Sequence, residues 1–175
     1  MGLATMHSLR TTLLASLLLA AATATAGAAD TKSLGDFGAW RAYSYTEKDG
    51  KVCYATAAAD STTGGAKGRR PTYLAVTNRP KSHNEVSLIG AYDFKPDSDA
   101  EIQVGAQKYA FFTKGDSAWT KQVGADKSVI AAMVKGRDVV VHATPAKGKP
   151  VTDTIPLNGF TKALAAIDKA CGGKR

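Results

Sequence analysis

The positions of the two cysteines, Cys53 and Cys171, constrain this chain more than any other feature of its sequence. Cys171 closes a segment in which apolar residues recur at helical spacing on one face: Phe160, Ala163, Leu164, Ile167, Ala170 and Cys171. The charged residues of the segment fall elsewhere: Lys162, Asp168 and Lys169. The pattern predicts an amphipathic helix over residues 158–171, with Asn158 as its N-cap and Gly172 in the left-handed conformation beyond its end.

Residues 1–28 are typical of a secretory signal peptide. Arg10 precedes an apolar run over residues 13–22, and small residues permit cleavage after Ala26 or Ala28. No cysteine follows at the cleavage region, so we do not expect a lipoprotein. An uncleaved membrane anchor is the alternative, but the apolar run is shorter than the roughly 20 residues that cross a bilayer. We therefore expect a periplasmic or secreted protein without a membrane span.

Export to an oxidising compartment favours a disulfide between Cys53 and Cys171. Such a bridge would fasten the terminal helix to an early strand and close a loop of more than about a hundred residues. The chain-entropy model gives such a closure an upper value of about 4 to 5 kcal/mol.

The remaining residues, 29–175, have the length of a single domain. The formal net charge of the full chain is +8, and loss of the signal peptide would remove Arg10 alone among the charged residues. A strongly basic surface favours anionic partners such as lipid headgroups, lipopolysaccharide phosphates and acidic glycans. The export signal argues against nucleic acid as the partner.

Short β-strands dominate the predicted secondary structure. A hairpin is expected between residues 37–45 and 52–58 around the Asp49-Gly50 turn. Further strands are predicted at 72–77, 85–92, 102–104, 108–113, 118–119, 139–143 and 151–157, and residues 60–71 are predicted to be a loop. A short helix is predicted near 127–135, with Asp126 as its N-cap and Gly136 at its end. Four apolar residues of this helix should face the core: Val129, Ile130, Met133 and Val134. The fold class is mostly β, an antiparallel β-sandwich or barrel-like sheet with two helices.

Several motifs in a fixed order resemble the invasion-associated locus B family. They are Trp40, residues 51–54 (KVCY), 73–80 (YLAVTNRP), 131–136 (AAMVKG), 153–154 (DT), 157–164 (LNGFTKAL) and the terminal Ala170-Cys171. Members of that family are exported proteins of Gram-negative bacteria, and the family is named after one implicated in entry into host cells. The resemblance therefore implies an envelope or secreted role. It implies no enzymatic reaction and supplies no ligand residues. The turn at residues 144–148 departs from the Ser-x-Arg-Gly typical of relatives.

The sequence offers little catalytic or metal chemistry, so we expect no enzyme, no metal site and no cofactor. His83 and His142 lack a nucleophile elbow nearby, and we interpret them as a loop and a sheet histidine. The cysteines lack the close spacing of a zinc site. Residues 97–101 (DSDAE) place carboxylates two apart, but without the glycine and distal glutamate of a calcium loop we interpret them as a solvated turn.

Basic residues form the candidate site for an acidic ligand, in three loops: Lys67, Arg69 and Arg70; Arg79 and Lys81; Lys147 and Lys149. The first two groups flank one predicted strand and should lie about 20 Å apart. Whether the third group joins either depends on the fold, and a simple solvated basic surface is the alternative. A sugar-binding surface could be assembled from Trp40, Tyr43, Tyr45, Trp119 and Phe160, but we expect most of these rings in the core.

Three hypotheses follow for function. The first is a non-catalytic envelope or secreted binding protein that meets an anionic envelope or host-surface component through its basic loops and contributes to host-cell interaction or invasion. The second is a structural or chaperone-like periplasmic protein that acts through protein contacts. The third is a hydrolase with an unfamiliar site. The sequence leaves the partner and the oligomeric state open.

Overall fold

The computed structural model of the protein describes residues 30–65 and 69–172. The predicted signal peptide, residues 1–28, lies outside the described residues. The described part of the chain contains eleven strands and two helices. In chain order they are β1 (Lys32–Phe37), β2 (Trp40–Glu47), β3 (Gly50–Ala58), β4 (Ser61–Gly64), β5 (Tyr73–Arg79), β6 (Ser82–Ile89), β7 (Asp99–Val104), β8 (Gln107–Lys114), β9 (Ser117–Thr120), α1 (Ala125–Lys135), β10 (Asp138–Ala143), β11 (Val151–Pro156) and α2 (Phe160–Cys171).

All eleven strands form one open antiparallel sheet in the order β1-β2-β3-β5-β6-β9-β8-β7-β10-β11-β4. Strand β4 lies at the edge opposite β1, yet only Ala59 and Asp60 separate it from β3. At this link the amide of Ala59 donates to Thr72 O (2.8 Å) and the amide of Asp60 donates to Thr154 O (3.0 Å). The sheet must therefore curl until its far edge reaches β3, which makes it barrel-like and confirms the predicted fold class.

One face of this curled sheet carries the core, because alternate residues of each strand point to the same side. In β2, for example, Trp40, Ala42 and Ser44 are buried while the residues between them are more exposed. Helix α2 packs on this inner face with Phe160, Leu164 and other apolar residues, and α1 adds Val129 and Met133. The two helices and the core therefore share one side of the sheet.

The predicted disulfide is confirmed. Cys53 in β3 bonds to Cys171, the last residue of α2, with their Cα atoms 5.9 Å apart. Cys53 is fully buried, and α2 contacts β1, β2, β3 and β5 around it. The bond therefore fastens the last element of the fold to one of the first strands.

Both predicted N-caps are wrong. Helix α2 begins at Phe160 after the left-handed Gly159, and the backbone oxygen of Asn158 accepts a hydrogen bond from the amide of Ala39 instead (3.2 Å). Helix α1 begins at Ala125 after the left-handed Gly124. The predicted helix ends are confirmed: α1 ends at Lys135 before Gly136, and α2 ends at Cys171 before the left-handed Gly172.

Asp126 and Asp168 both have partners outside their own helices. The Asp126 carboxylate accepts hydrogen bonds from the amide of Val86 (2.9 Å) and from Thr120 Oγ1 (3.2 Å), which ties α1 to the sheet rather than capping it. Asp168 was expected away from the buried face, but it is only 6% exposed and accepts a hydrogen bond from Asn78 Nδ2 (2.9 Å). Periodicity misses this carboxylate because its polar partner lies on β5, beneath the helix.

Two strands and one side chain depart from the predictions. Strand β1 had no predicted counterpart, and β4 lies inside the predicted loop 60–71, where Ser61, Thr62 and Thr63 pair with β11 although all are exposed. Val134 was expected to face inward but is 44% exposed. Among the described residues, neither helix has the length and apolar character needed to cross a membrane.

Candidate functional site

Two of the three basic loops meet at one end of the sheet. The antiparallel pair β4–β11 sets Gly64 opposite Val151, so the loop after β4 lies beside the loop before β11. A Cβ atom on Gly64, whose φ is +77°, would overlap the backbone oxygen of Pro150, so only glycine permits this approach. We name the exposed Arg70, Lys147 and Lys149 the cationic end. Lys67, predicted as part of the same site, lies outside the described residues.

Arg69 of the predicted set serves a different purpose. Its side chain is only 8% exposed, and the guanidinium forms an ion pair and hydrogen bond with the carboxylate of the fully buried Asp153 side chain in β11. Asp153 also accepts hydrogen bonds from Thr62 Oγ1 and from Thr72 Oγ1, the latter at 2.7 Å. This network joins β4, β11 and the segment before β5. Arg69 therefore holds the loops of the cationic end in place and directs its own charge inward.

Tyr92 covers the Arg69 network from the side. The guanidinium carbon of Arg69 lies 5.3 Å from the centre of the Tyr92 ring, which is cation–π distance. Burial raises the pKa of the Tyr92 phenol, because the surrounding protein disfavours the phenolate. The phenol is therefore neutral under ordinary conditions and adds no negative charge to the cationic end.

Arg79 and Lys81 lie at the opposite end of β5 and stay separate from the cationic end. Arg79 Nη1 contacts both carboxylate oxygens of Glu47 at 3.0 Å, and Tyr45 OH donates to the same carboxylate at 2.9 Å. The hydrogen bonds from Tyr45 and Arg79 lower the pKa of Glu47. The charge of Arg79 is therefore matched locally, and Lys81 is an exposed turn residue beside it.

The five aromatic residues considered in the sequence divide between two faces of the sheet. Trp40 and Phe160 are core residues, with ring centroids 4.7 Å apart, as expected. The expectation that most of the five would be in the core is wrong, because Tyr43, Tyr45 and Trp119 lie on the outer face, away from both helices. Each stands out of phase with the buried residues of its own strand, and this alternation was the signal available in the sequence.

Helices α1 and α2 leave a groove of about 640 Å³ between them. Ile130, Val134 and Leu164 give it an apolar lining, while Lys127 and Lys135 lie along it with His83 and others. The groove could not be predicted from the sequence, because it depends on how the two helices pack.

The residues considered for catalysis or metal binding lie in ordinary structural positions. The interpretation of His83 as a loop residue is wrong, because it is an exposed residue of β6. His142 is a sheet residue as expected, exposed in β10 with its Nδ1 3.2 Å from Thr152 Oγ1. The interpretation of residues 97–101 as a turn holds only for Asp97, because β7 begins at Asp99. In that strand Asp99 pairs with Lys121 (2.7 Å) and Glu101 with Lys108 (2.9 Å). No group of three or more histidine, cysteine, aspartate or glutamate residues in the described ranges is arranged to hold a metal ion.

Comparison with known protein families identifies the family of this chain. A family model described as "Invasion associated locus B (IalB) protein" matches residues 40–168, which is most of the chain. The matched region runs from Trp40 at the start of β2 to Asp168 in α2. No curated protein and no solved structure matches the chain.

Proposed function

Because the chain belongs to the invasion associated locus B family, we propose that it is an exported, non-catalytic binding protein of the cell envelope or the secreted fraction. In this proposal its ligand is an anionic component of the envelope or of a host surface. The sequence of residues 1–28 supports export to the periplasm or beyond, and the disulfide is typical of proteins in such oxidising compartments.

The cationic end carries this proposal. Arg70, Lys147 and Lys149 come from loops that are far apart in sequence, and the β4–β11 pairing sets these loops side by side. The buried contact between Arg69 and Asp153 fixes the first loop against β11, so the cations are presented by an ordered framework. Cations that an ordered sheet brings to one end are better suited to binding phosphates or carboxylates than cations scattered over a surface.

Co-sedimentation with outer-membrane vesicles and with peptidoglycan sacculi, at rising salt, tests the proposal. Each cation near an anionic surface contributes about 1 kcal/mol, so Arg70→Ala/Lys147→Ala/Lys149→Ala should weaken binding by about a hundredfold. The matched control is Lys127→Ala/Lys162→Ala/Lys169→Ala, which removes equal charge from exposed positions on the two helices. Binding that survives high salt, or equal losses in the two variants, would contradict an electrostatic ligand site.

A structural or chaperone-like role is the second candidate, and the groove between α1 and α2 favours it. Its exposed Val134 and half-buried Ile130 could take an apolar segment of a partner protein. Salt-insensitive binding that is lost in Val134→Asp and kept in the cationic-end variant would select this role.

A contribution to host-cell entry is tested by adding the purified cationic-end variant and the wild type to the same adhesion assay.

A further inference from the structure

The outer face of the sheet is a second surface with the features of a binding site. Neither helix covers it, because both pack on the core side. Cross-strand pairing aligns one row of outer-face residues, one from each of six neighbouring strands. In sheet order they are Arg41, Thr56, Ala75, Ser87, Trp119 and Phe112. Neighbouring rows add Tyr43, Tyr45, Tyr54, Tyr73 and Ile89. This outer face is therefore rich in aromatic rings in a chain with only 7% aromatic residues.

The rings on this face are held in fixed positions. Tyr43 and Tyr54 stack with centroids 5.3 Å apart and planes 27° apart. Phe112 and Trp119 stack in the same way, at 5.6 Å and 28°. Tyr73 is 40% exposed and Phe112 is 44% exposed, which is costly for apolar rings unless something covers them. Rigid, exposed aromatic rings of this kind are the usual anchors of binding surfaces.

Between the aromatic clusters lies a shallow groove of about 430 Å³. Small residues form its floor, among them Ala75, Thr77 and Ser87, and the rings of Tyr45 and Tyr54 stand beside them. Hydroxyl groups from Thr77, Ser87 and Tyr45 supply hydrogen-bond donors and acceptors. The groove therefore combines apolar ring faces with neutral polar groups, and it offers no unmatched charge at its centre.

Charges around the outer face are balanced, although the chain as a whole carries +8. Ion pairs on this side include Arg41 with Asp36 (3.7 Å), Arg79 with Glu47 (3.0 Å), Lys121 with Asp99 (2.7 Å) and Lys108 with Glu101 (2.9 Å). Glu85 beside Thr77 and Lys114 beside Ser117 add one charge of each sign. A face with this balance does not select an anionic ligand.

We propose that the outer face binds a neutral glycan chain. The C–H groups on the flat side of a sugar ring carry slight positive charge and pack on the electron-rich faces of tyrosine and tryptophan. The hydroxyls at the edge of the same ring match the hydroxyl groups of the groove. Successive sugars would stack from the Tyr45/Tyr54 cluster towards Trp119 and Phe112. This site is independent of the cationic end, so either proposal can fail without the other.

Tryptophan fluorescence tests the proposal directly, because the chain has two tryptophans and only one lies on the outer face. Trp40 is fully buried and Trp119 is half-buried on the outer face, so acrylamide should quench Trp119 selectively. The probes are neutral tetrasaccharides of β-1,4-linked N-acetylglucosamine, of β-1,4-linked glucose and of α-1,4-linked glucose. We expect at least one of them to protect Trp119 from quenching, equally at low and high salt. Trp119→Phe should abolish the signal and so assign it.

Two variants separate ring stacking from other effects. Tyr73→Ala should weaken glycan binding by about tenfold, the effect of losing an aromatic anchor, and Tyr73→Phe, which keeps the ring, should bind nearly as wild type. Lys147→Ala/Lys149→Ala, at the cationic end, should bind the glycan unchanged. The proposal is overturned if no tetrasaccharide protects Trp119, if binding weakens with salt, or if protection depends on protein concentration alone and so reports self-association.

Discussion

At the scale of single residues, Asp153 is the charge on which the cationic end depends. It is fully buried and its partner Arg69 is nearly so, which is a costly arrangement unless both remain together. Two threonine hydroxyls donate to the same carboxylate, so the charge is well compensated. Removing the carboxylate would leave a guanidinium buried without its counter-ion.

We therefore expect Asp153→Ala to lower the free energy of unfolding by about 3 to 5 kcal/mol. Glu101→Ala is the matched control, because Glu101 pairs with Lys108 at the surface, and exposed pairs contribute at most about 1 kcal/mol. Urea denaturation of both variants measures the difference. Similar small losses would mean that water readily reaches the Arg69 site.

The two glycines that precede the helices provide a second comparison at this scale. Both have positive φ, +91° at Gly159 and +79° at Gly124, so alanine is strained at either position. A Cβ on Gly159 would also overlap the backbone oxygen of Phe37, whereas a Cβ on Gly124 meets nothing within 4 Å. We expect Gly124→Ala to cost about 1 to 2 kcal/mol, from backbone strain alone, and Gly159→Ala to cost clearly more. Thermal unfolding compares the two, and an equal loss would show that the turn before α2 adjusts freely.

At the scale of elements, α2 is held by apolar burial, by the Asn78–Asp168 hydrogen bond and by the disulfide. Its apolar side lies against β1, β2, β3 and β5. These contacts act on the folded state, whereas in the chain-entropy model the disulfide acts mainly by restricting the unfolded chain. The two contributions can be separated by removing the bond alone.

Cys53→Ser and Cys171→Ser should each lower the melting temperature substantially and by similar amounts, because each removes the same cross-link. The double variant Cys53→Ser/Cys171→Ser should be little worse than either single variant. The upper value for the loss is about 4 to 5 kcal/mol. Additive losses in the double variant, or small unequal ones, would show that the thiols contribute by packing rather than by their bond.

Elements with regular apolar patterns could be predicted from the sequence, and those without could not. The β2–β3 hairpin and the spans of both helices follow from alternation, from the Asp49-Gly50 turn and from helical spacing. Strand β4 could not be predicted, since all four of its residues are exposed and its partner β11 lies far along the chain. The N-caps were wrong because left-handed glycines replace side-chain caps at both helices.

At the scale of the whole molecule, charge and aromatic rings occupy different surfaces. The sequence could place basic loops at the two ends of β5 but could not predict that the β10–β11 loop joins only one of them. The two loops are neighbours because β4 pairs with β11, and no local sequence signal predicts that pairing. The outer aromatic face could not be predicted from the sequence alone. It depends on which side of each strand faces the helices, and only the assembled sheet defines that.

Alkaline pH should destabilise the protein through its tyrosines. Burial raises the pKa of Tyr45, Tyr54 and Tyr92 above the ordinary value of 10.0. As the pH rises, the unfolded chain therefore loses these protons before the folded protein does. The contribution of the neutral phenols to the free energy of unfolding is complete below about pH 10 and is lost as the pH rises through the pKa values of the folded state. Tyr92→Phe should show a weaker fall of melting temperature with pH than the wild type above pH 10. Parallel curves for the two proteins would contradict a role for this phenol.

The bond between Cys53 and Cys171 also determines the timing of folding during biosynthesis. Cys53 leaves the ribosome 118 residues before Cys171, so its thiol lacks this partner until every described strand has been synthesised. A partly emerged chain lacks α2, and the inner faces of β2 and β3 stay without their cover. The bond can therefore form only after all eleven described strands and α2 have been synthesised.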